Sequence, residues 1–268
     1  MEKEPFVVKS LQNAGIKEVV KLRKRSFREE KGRLLIEGYR EVLRALESGH
    51  RLHDLYFCPP LFQGINESGL LDRVRDAGSR LVECTEPVFR KIAYRDRPEG
   101  VLALGDPAGR SLCKMPSGND SLFLVAEAIE KPGNLGSILR SADAAGATGV
   151  LVCDQRTDIN NPNTVRASIG TLFTVPVAQA GIQETIGWLK RNQVRILVAT
   201  PDAPTSYTRA DLTGSVALVV GTEQVGLSRT WIEHADESIC IPMHGRADSL
   251  NVANAATILL FEAVRQRS

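Results

Sequence analysis

The chain has 268 residues, 43% apolar and 25% charged, with 34 basic against 32 acidic side chains and a net charge of +2. At about 150 residues per domain, two modest domains are expected. The charge balance excludes an acidic solvating chain and a uniformly basic one, but leaves room for a local basic patch. No run approaches the ~18 apolar residues of a membrane span, and Met1 to Pro5 lacks the apolar stretch of a signal peptide. A cytoplasmic protein without membrane segments is expected. The cysteines are scattered and never form a CxxC pair, which suits free thiols in a reducing compartment. His50 and His53 are close, yet no cysteine or carboxylate cluster completes a metal site, so no metal is expected.

From Lys17 to Arg33 eight basic residues face three glutamates, a local surplus of five positive charges. Val19, Val20, Leu22 and Phe27 among them suit one apolar stripe on a helix. Two readings stand for this cluster. It is a solvated helix face, or it is a phosphate-contacting face built on Lys21, Arg23, Lys24, Arg25 and Arg28. Beyond the short apolar run Leu34 to Ile36, the spacing predicts a helix over 39–48 and strands over 52–57, 80–84 and 101–104. A further helix is predicted over 70–77. That alternation predicts a small α/β domain over 1–106. Residues 107–119 are rich in Gly, Pro and Ser and read as a linker.

Over 120–268, strands are predicted at 122–126, 149–153, 195–199, 215–220 and 239–241, with helices at 136–145, 182–191 and 253–265. Apolar strands alternating with helices imply a parallel sheet covered on both faces. Three dense segments follow strands of this half, where open α/β sheets bind ligands. They are Glu130 to Arg140, Val220 to Ser228 and Ile241 to Ala253. The second has the glycine spacing of a P-loop, but Leu227 stands where the lysine is needed and Glu223 would repel phosphate. No GxGxxG and no Gly-x-Ser-x-Gly elbow occurs. An NTPase, a dinucleotide enzyme of that type and a serine hydrolase all lack support.

These three segments resemble the signature motifs of the SpoU (TrmH-like) family of RNA ribose 2′-O-methyltransferases in the SPOUT superfamily. Asn134, Gly136 and Arg140 match Asn-x-Gly-x-x-x-Arg. Gly221, Glu223, Gly226, Leu227 and Ser228 match the second motif. Ile241 to Met243 and Ser249 to Val252 match the third. Residues 31–104, through Leu34 to Gly38 and Pro98 to Ala103, are similar to the family's substrate-binding domain, a fold like the ribosomal protein that binds RNA kink-turns.

The resemblance implies an α/β protein with a C-terminal, trefoil-knotted parallel-sheet methyltransferase domain. A smaller N-terminal α/β RNA-binding domain would precede it. It also implies S-adenosylmethionine as cofactor and a homodimer that completes the site. Thr200, Gly221, Ile241, Met243 and Leu250 would hold the cofactor, with Gly221 allowing close approach. Arg140, Asn134, Glu223, Ser249 and Asn251 would form the catalytic set. An arginine is not deprotonated in proteins, so the bottom-up role of Arg140 is to clamp a phosphate and stabilise the developing alkoxide. Arg166, in a polar loop after Cys153, is either a phosphate contact, as the family's RNA-facing segment here implies, or part of a solvated loop. The expected substrate is structured RNA, 23S ribosomal RNA above all. A transfer-RNA methyltransferase and a non-catalytic RNA-binding or assembly factor are the alternatives.

Overall fold

The computed structural model describes residues 7–222 and 226–268. They form two compact units, one made of residues up to 108 with 160–174, the other of 109–159 with 175–268.

The first unit opens with β1 (Val7–Val8) and α1 (Ala14–Lys21), capped by the Asn13 side chain, which accepts the amides of Gly15 and Ile16. The basic segment does not continue as one helix. After the buried Leu22 the chain turns and restarts as α2 (Arg25–Lys31), ended by Gly32 at φ 57°. Arg28 holds this turn. It is only 3% exposed, and its guanidinium donates to the carbonyls of Leu22 and Arg23 at 2.9 Å each. Arg28 is thereby removed from the phosphate-contacting set, because its donors satisfy buried carbonyls.

Next come β2 (Leu34–Glu37), α3 (Tyr39–Glu47), β3 (Leu52–Phe57), α4 (Glu67–Asp76) and β4 (Arg80–Cys84). The helix α5 (Glu86–Ile92) was not expected. Pro87 stands in its first turn, and Val88, Phe89 and Ile92 are buried at helical spacing. With β5 (Val101–Gly105) the sheet is complete in the order β1-β4-β3-β5-β2. The strands β1, β4 and β3 are parallel, and β5 runs antiparallel to β3 and β2.

In the second half, β6 (Leu122–Glu127), α6 (Pro132–Ala144) and β7 (Gly149–Cys153) lead to α7 (Pro162–Ser168) and α8 (Thr171–Thr174). These last two helices belong to the first unit, although the sequence reading groups 120–268 together. Their polar cap, Asn161-Pro162, masks a buried face of Thr164, Val165 and Ser168. The chain continues through β8 (Val177–Ala180), α9 (Ile182–Arg191), β9 (Arg195–Ala199), β10 (Thr205–Ser206) and β11 (Val216–Val220). It closes with α10 (Arg229–His234), β12 (Glu237–Cys240) and α11 (Val252–Arg267).

The second unit's seven strands are all parallel, in the order β10-β12-β9-β11-β6-β7-β8. Phe123, Val125, Leu151, Val198 and Val219 pack with Trp188 of α9 and Trp231 of α10, while α6 and α11 cover the other face. The 107–119 stretch contains a short 3-10 turn, Leu112–Lys114, and buries Leu112 and Met115 in this core. Burial pushes the Cys84 and Cys153 thiols up to about 12, so neither is a ready nucleophile. Among the described residues no helix is long and apolar enough to cross a membrane, and no His, Cys, Asp and Glu cluster could hold a metal.

The Glu37-Gly38 pair has a structural role in the first unit. Glu37 accepts the Tyr94 amide at 2.6 Å and the Arg95 amide at 3.2 Å, and the Arg95 guanidinium pairs with Glu41 at 2.6 Å and with Glu99. Burial pushes both the Glu37 and Glu41 carboxyl groups up, and Arg95 opposes it. A side chain at Gly38, which has φ 114°, would strike the Glu41 carboxylate and the Arg95 guanidinium. Arg95→Ala leaves buried carboxylates unpaired and should cost about 3 kcal/mol in urea unfolding at neutral pH. The carboxyls would then rise further, so the folded form takes up protons more readily than the unfolded chain. The deficit should therefore shrink as pH falls toward the ordinary carboxylate range, and grow as pH rises.

Candidate active site

A cleft of about 350 Å3 lies at the carboxyl ends of three adjacent parallel strands, β12, β9 and β11. Strands buried on both faces offer polar ligands only their ends, so this location follows from the sheet. Thr200 leaves β9, Gly221 leaves β11, and Ile241 and Met243 leave β12, and all four line the cleft. Ser249 and Leu250, just before α11, complete it. The structure thus brings together all five residues read as cofactor-binding, along with Ser249. Asp248, Thr222 and Val252 line it as well, and the sequence reading gave them no role. Asp248 is the one carboxylate lining the cleft among the described residues.

Gly221 is required by the loop itself. A Cβ there would lie 2.5 Å from the Gly226 carbonyl oxygen and 2.9 Å from Leu227, because the loop folds back on its own start. The Gly226 amide donates to the Thr222 carbonyl at 3.1 Å, with Gly226 at φ 70°. Its far end is fixed by Glu127, a buried carboxylate at the end of β6 that accepts the Ser228 amide at 2.8 Å. Glu127 escaped the sequence reading, since it sits at the end of an apolar strand and outside every motif. Glu223, read as catalytic, lies outside the described residues.

The first and third motifs meet through one amide. Asn251 caps α11 by accepting the Ala253 amide at 3.0 Å, and its side-chain nitrogen donates to Asn134 Oδ1 at 3.2 Å. Farther along the same pair of helices, the hydroxyls of Ser141 and Thr257 are 2.6 Å apart. Residues seven apart share a helix face, so Asn134 and Ser141 both turn toward α11. Arg140 precedes Ser141 and points elsewhere. It is exposed, makes no ion pair with the described residues and does not line the cleft.

The basic residues divide more sharply. Lys21 and Lys24 are exposed, with the Lys21 ammonium 5.7 Å from the Phe27 ring centre. Arg23 donates to the carbonyls of Lys91 and Ala93, and Arg25 pairs with Glu29 at 2.7 Å. Arg166 is exposed on α7 in the first unit.

Residues 121–261 match the model of the SpoU rRNA methylase family, and residues 13–103 that of an MRM3-like substrate-binding domain. The chain belongs to the SpoU rRNA methylase family. It is 32% identical over 252 residues to the 23S rRNA (uridine(2479)-2′-O)-methyltransferase of Streptomyces viridochromogenes, covering 91% of this chain and 86% of that one. The AdoMet-bound rRNA methyltransferase of Sinorhizobium meliloti superposes with a TM-score of 0.89 at 31% identity, covering 97% of each chain. A solved RNA 2′-O ribose methyltransferase matches with a TM-score of 0.84 at 40% identity, over 98% of this chain and 99% of that one.

Asn251 joins two SpoU motifs with a helix cap, and substitution can separate these roles. Asn251→Ala should cost about 1 kcal/mol in urea unfolding through loss of the cap. Asn251→Asp keeps the cap oxygen, favoured at a helix N-terminus, and should recover most of that stability while losing the bond to Asn134.

Proposed function

We propose that this protein transfers a methyl group from S-adenosylmethionine to a ribose 2′-hydroxyl of 23S ribosomal RNA. The observation that carries the reading is the cleft at the ends of β12, β9 and β11, lined by residues of the second and third SpoU motifs. Its chemistry fits the cofactor. Ile241, Leu250 and Val252 supply apolar walls, Thr200 and Thr222 supply hydroxyls, and Asp248 offers negative charge to a cationic ligand. The cofactor supplies an electrophilic sulfonium methyl. With the cofactor bound, the chain would hold the ribose 2′-oxygen toward that methyl, and the hydroxyl proton would pass to water.

The chain must align the hydroxyl and stabilise the charge that develops on it. Ser249, in the cleft, and the Asn134–Asn251 pair beside it are the positioning groups in this reading. Arg140 clamps the neighbouring phosphate and the developing alkoxide. Glu223 belongs with them through its motif.

We infer that Arg140 serves the cleft of a second copy in a homodimer. Its exposure and its position off the cleft of its own chain support this, as does Phe261, 46% exposed on the helix packed against α6. The path from β12 back through α11 onto β11, β6 and α6 supports reading the 221–228 and 241–251 loops as those of a trefoil knot. The first unit and its exposed Lys21 and Lys24 would dock the RNA, in the cytoplasm where ribosomal RNA is available. Arg23 and Arg25 add positive charge to that face, and Arg166 is a further contact on α7.

With labelled S-adenosylmethionine and bacterial RNA lacking this modification, label should appear at one 2′-oxygen of 23S RNA. Label on transfer RNA alone would transfer the reading to the other substrate. Absence of both label and cofactor binding would leave an RNA-binding factor. Arg140→Ala should reduce transfer at least 100-fold with unchanged cofactor affinity and melting temperature. Gly221→Ala should instead weaken cofactor binding, measured by calorimetry. Mixing the two inactive variants should restore part of the activity if Arg140 acts in the partner's cleft, and none if it acts in its own.

A further inference from the structure

The first unit holds the larger cavity of the two described, about 810 Å3, and the function proposed above assigns it nothing. Its floor is acidic and its rim basic. The carboxylate oxygens of the floor are largely engaged, except for Oε2 of Glu67, which is buried without a partner among the described residues. Glu41 and Glu99 pair with Arg95, and Glu67, 5% exposed, accepts the amides of Gln63 and Gly64 at 3.1 and 2.9 Å. On the rim, Arg40, Arg97 and Arg166 are exposed and make no ion pair with the described residues. Asp96 is the single exposed carboxylate among them. An anion approaching the opening meets three uncommitted guanidiniums.

The elements carrying these arginines are tied together. Arg40 stands in the first turn of α3, Arg97 in the loop before β5, and Arg166 on α7. The Arg44 guanidinium of α3 donates to the Ile169 carbonyl at the end of α7. Asn163 of α7 donates to the Tyr94 hydroxyl at 2.9 Å, fixing α7 to the loop of Arg97. Gly170, at φ 81°, lets the backbone pass close to α3, since a Cβ there would lie 3.0 Å from Glu41 Cα. The rim is thus built from three segments far apart in sequence and held in one arrangement.

We propose that this cavity receives an unpaired nucleotide of the RNA substrate, with its flanking phosphates on Arg40, Arg97 and Arg166. This inference rests on the RNA-methyltransferase reading and names a recognition site within it. The space exceeds what a lone phosphate would fill and lies in the range of ligand pockets. Guanidiniums bind phosphates bidentately. Tyr39 lines the cavity and offers an aromatic face. Ile65, 92% exposed, lies in the chain between the lining residues Gly64 and Asn66 and adds apolar surface next to them. Bases splayed from single strands are recognised by such stacking, whereas paired bases are not available for it.

The test uses the full chain, a fluorescent unstructured ten-nucleotide RNA and its duplex, titrated by anisotropy over a salt series. The single strand should bind more tightly than the duplex. The triple variant Arg40→Ala, Arg97→Ala, Arg166→Ala should lose at least tenfold in affinity. Its salt slope should fall by about 2, at roughly 0.7 per phosphate contact. The three side chains are exposed, so the melting temperature should hold, and the corresponding lysine variant should recover part of the affinity. Wild-type affinity and slope in the alanine variant, equal binding of the duplex, or equal competition by a nucleoside monophosphate would each overturn the proposal. Methyl transfer to 23S RNA separates this inference from the reading beneath it. With both correct, the alanine variant raises KM and leaves kcat unchanged. Normal transfer by the wild type with an unchanged KM in the variant removes the cavity's role alone. Arginine-dependent strand binding without any transfer removes the methyltransferase reading alone.

Discussion

Seven parallel strands, fully buried at the centre of the sheet in β11, β6 and β7, set the terms for the rest of the second unit. Such a sheet has no polar surface in its interior, and its backbone groups are consumed in the ladder. Only the loops beyond the strands can carry chemistry. The cleft at β12, β9 and β11 therefore collects residues from three loops that lie up to 51 positions apart, between Ala199 and Leu250. The buried Glu127 extends the same constraint outward, since it fixes the 221–228 loop from the end of a neighbouring strand. Its cost in desolvation is offset by the Ser228 amide it accepts.

The motifs themselves mix architecture with chemistry. Gly221 reads naturally as a place where a ligand approaches the backbone, yet its nearest obstacles are Gly226 and Leu227 of its own loop. Asn251 reads as a catalytic amide, yet its oxygen caps α11 and only its nitrogen reaches Asn134. That division fixes which end of the amide faces the first motif. A cap that also donates is a rigid way to present a hydrogen bond, because the helix sets its position. Structural and catalytic readings of these residues are compatible.

Much of this fold was legible in the sequence where a pattern was periodic and continuous. The buried strands at 122–127, 149–153, 195–199 and 216–220 fall where apolar runs place them. The second and third motifs, each beginning at a strand end, pointed to the cleft. What escaped has a physical cause in each case. The helix α5 opens with Thr-Glu-Pro, a start signal beside charges that obscured Val88, Phe89 and Ile92. The helices α7 and α8 hide their apolar face behind a run of asparagines, and their place in the first unit depends on tertiary contacts with α3 and β2. No local pattern reports which core a short helix joins.

Charge was legible only in part, for the same reason. The surplus over Lys17 to Arg33 is dense along the chain, but the fold uses it up unevenly. Arg28 holds a turn, Arg23 satisfies carbonyls near Lys91, and Arg25 has Glu29 beside it. By contrast Arg40, Arg97 and Arg166 stand singly in the sequence, each with a carboxylate nearby in the chain or in the fold. Arg95 engages Glu41 and Glu99, two acids that line the same cavity. A guanidinium is available to phosphate only when its neighbours' carboxylates have other partners. Positive potential in this protein is therefore a property of which ion pairs the fold completes, and a count of basic residues along the chain does not measure it.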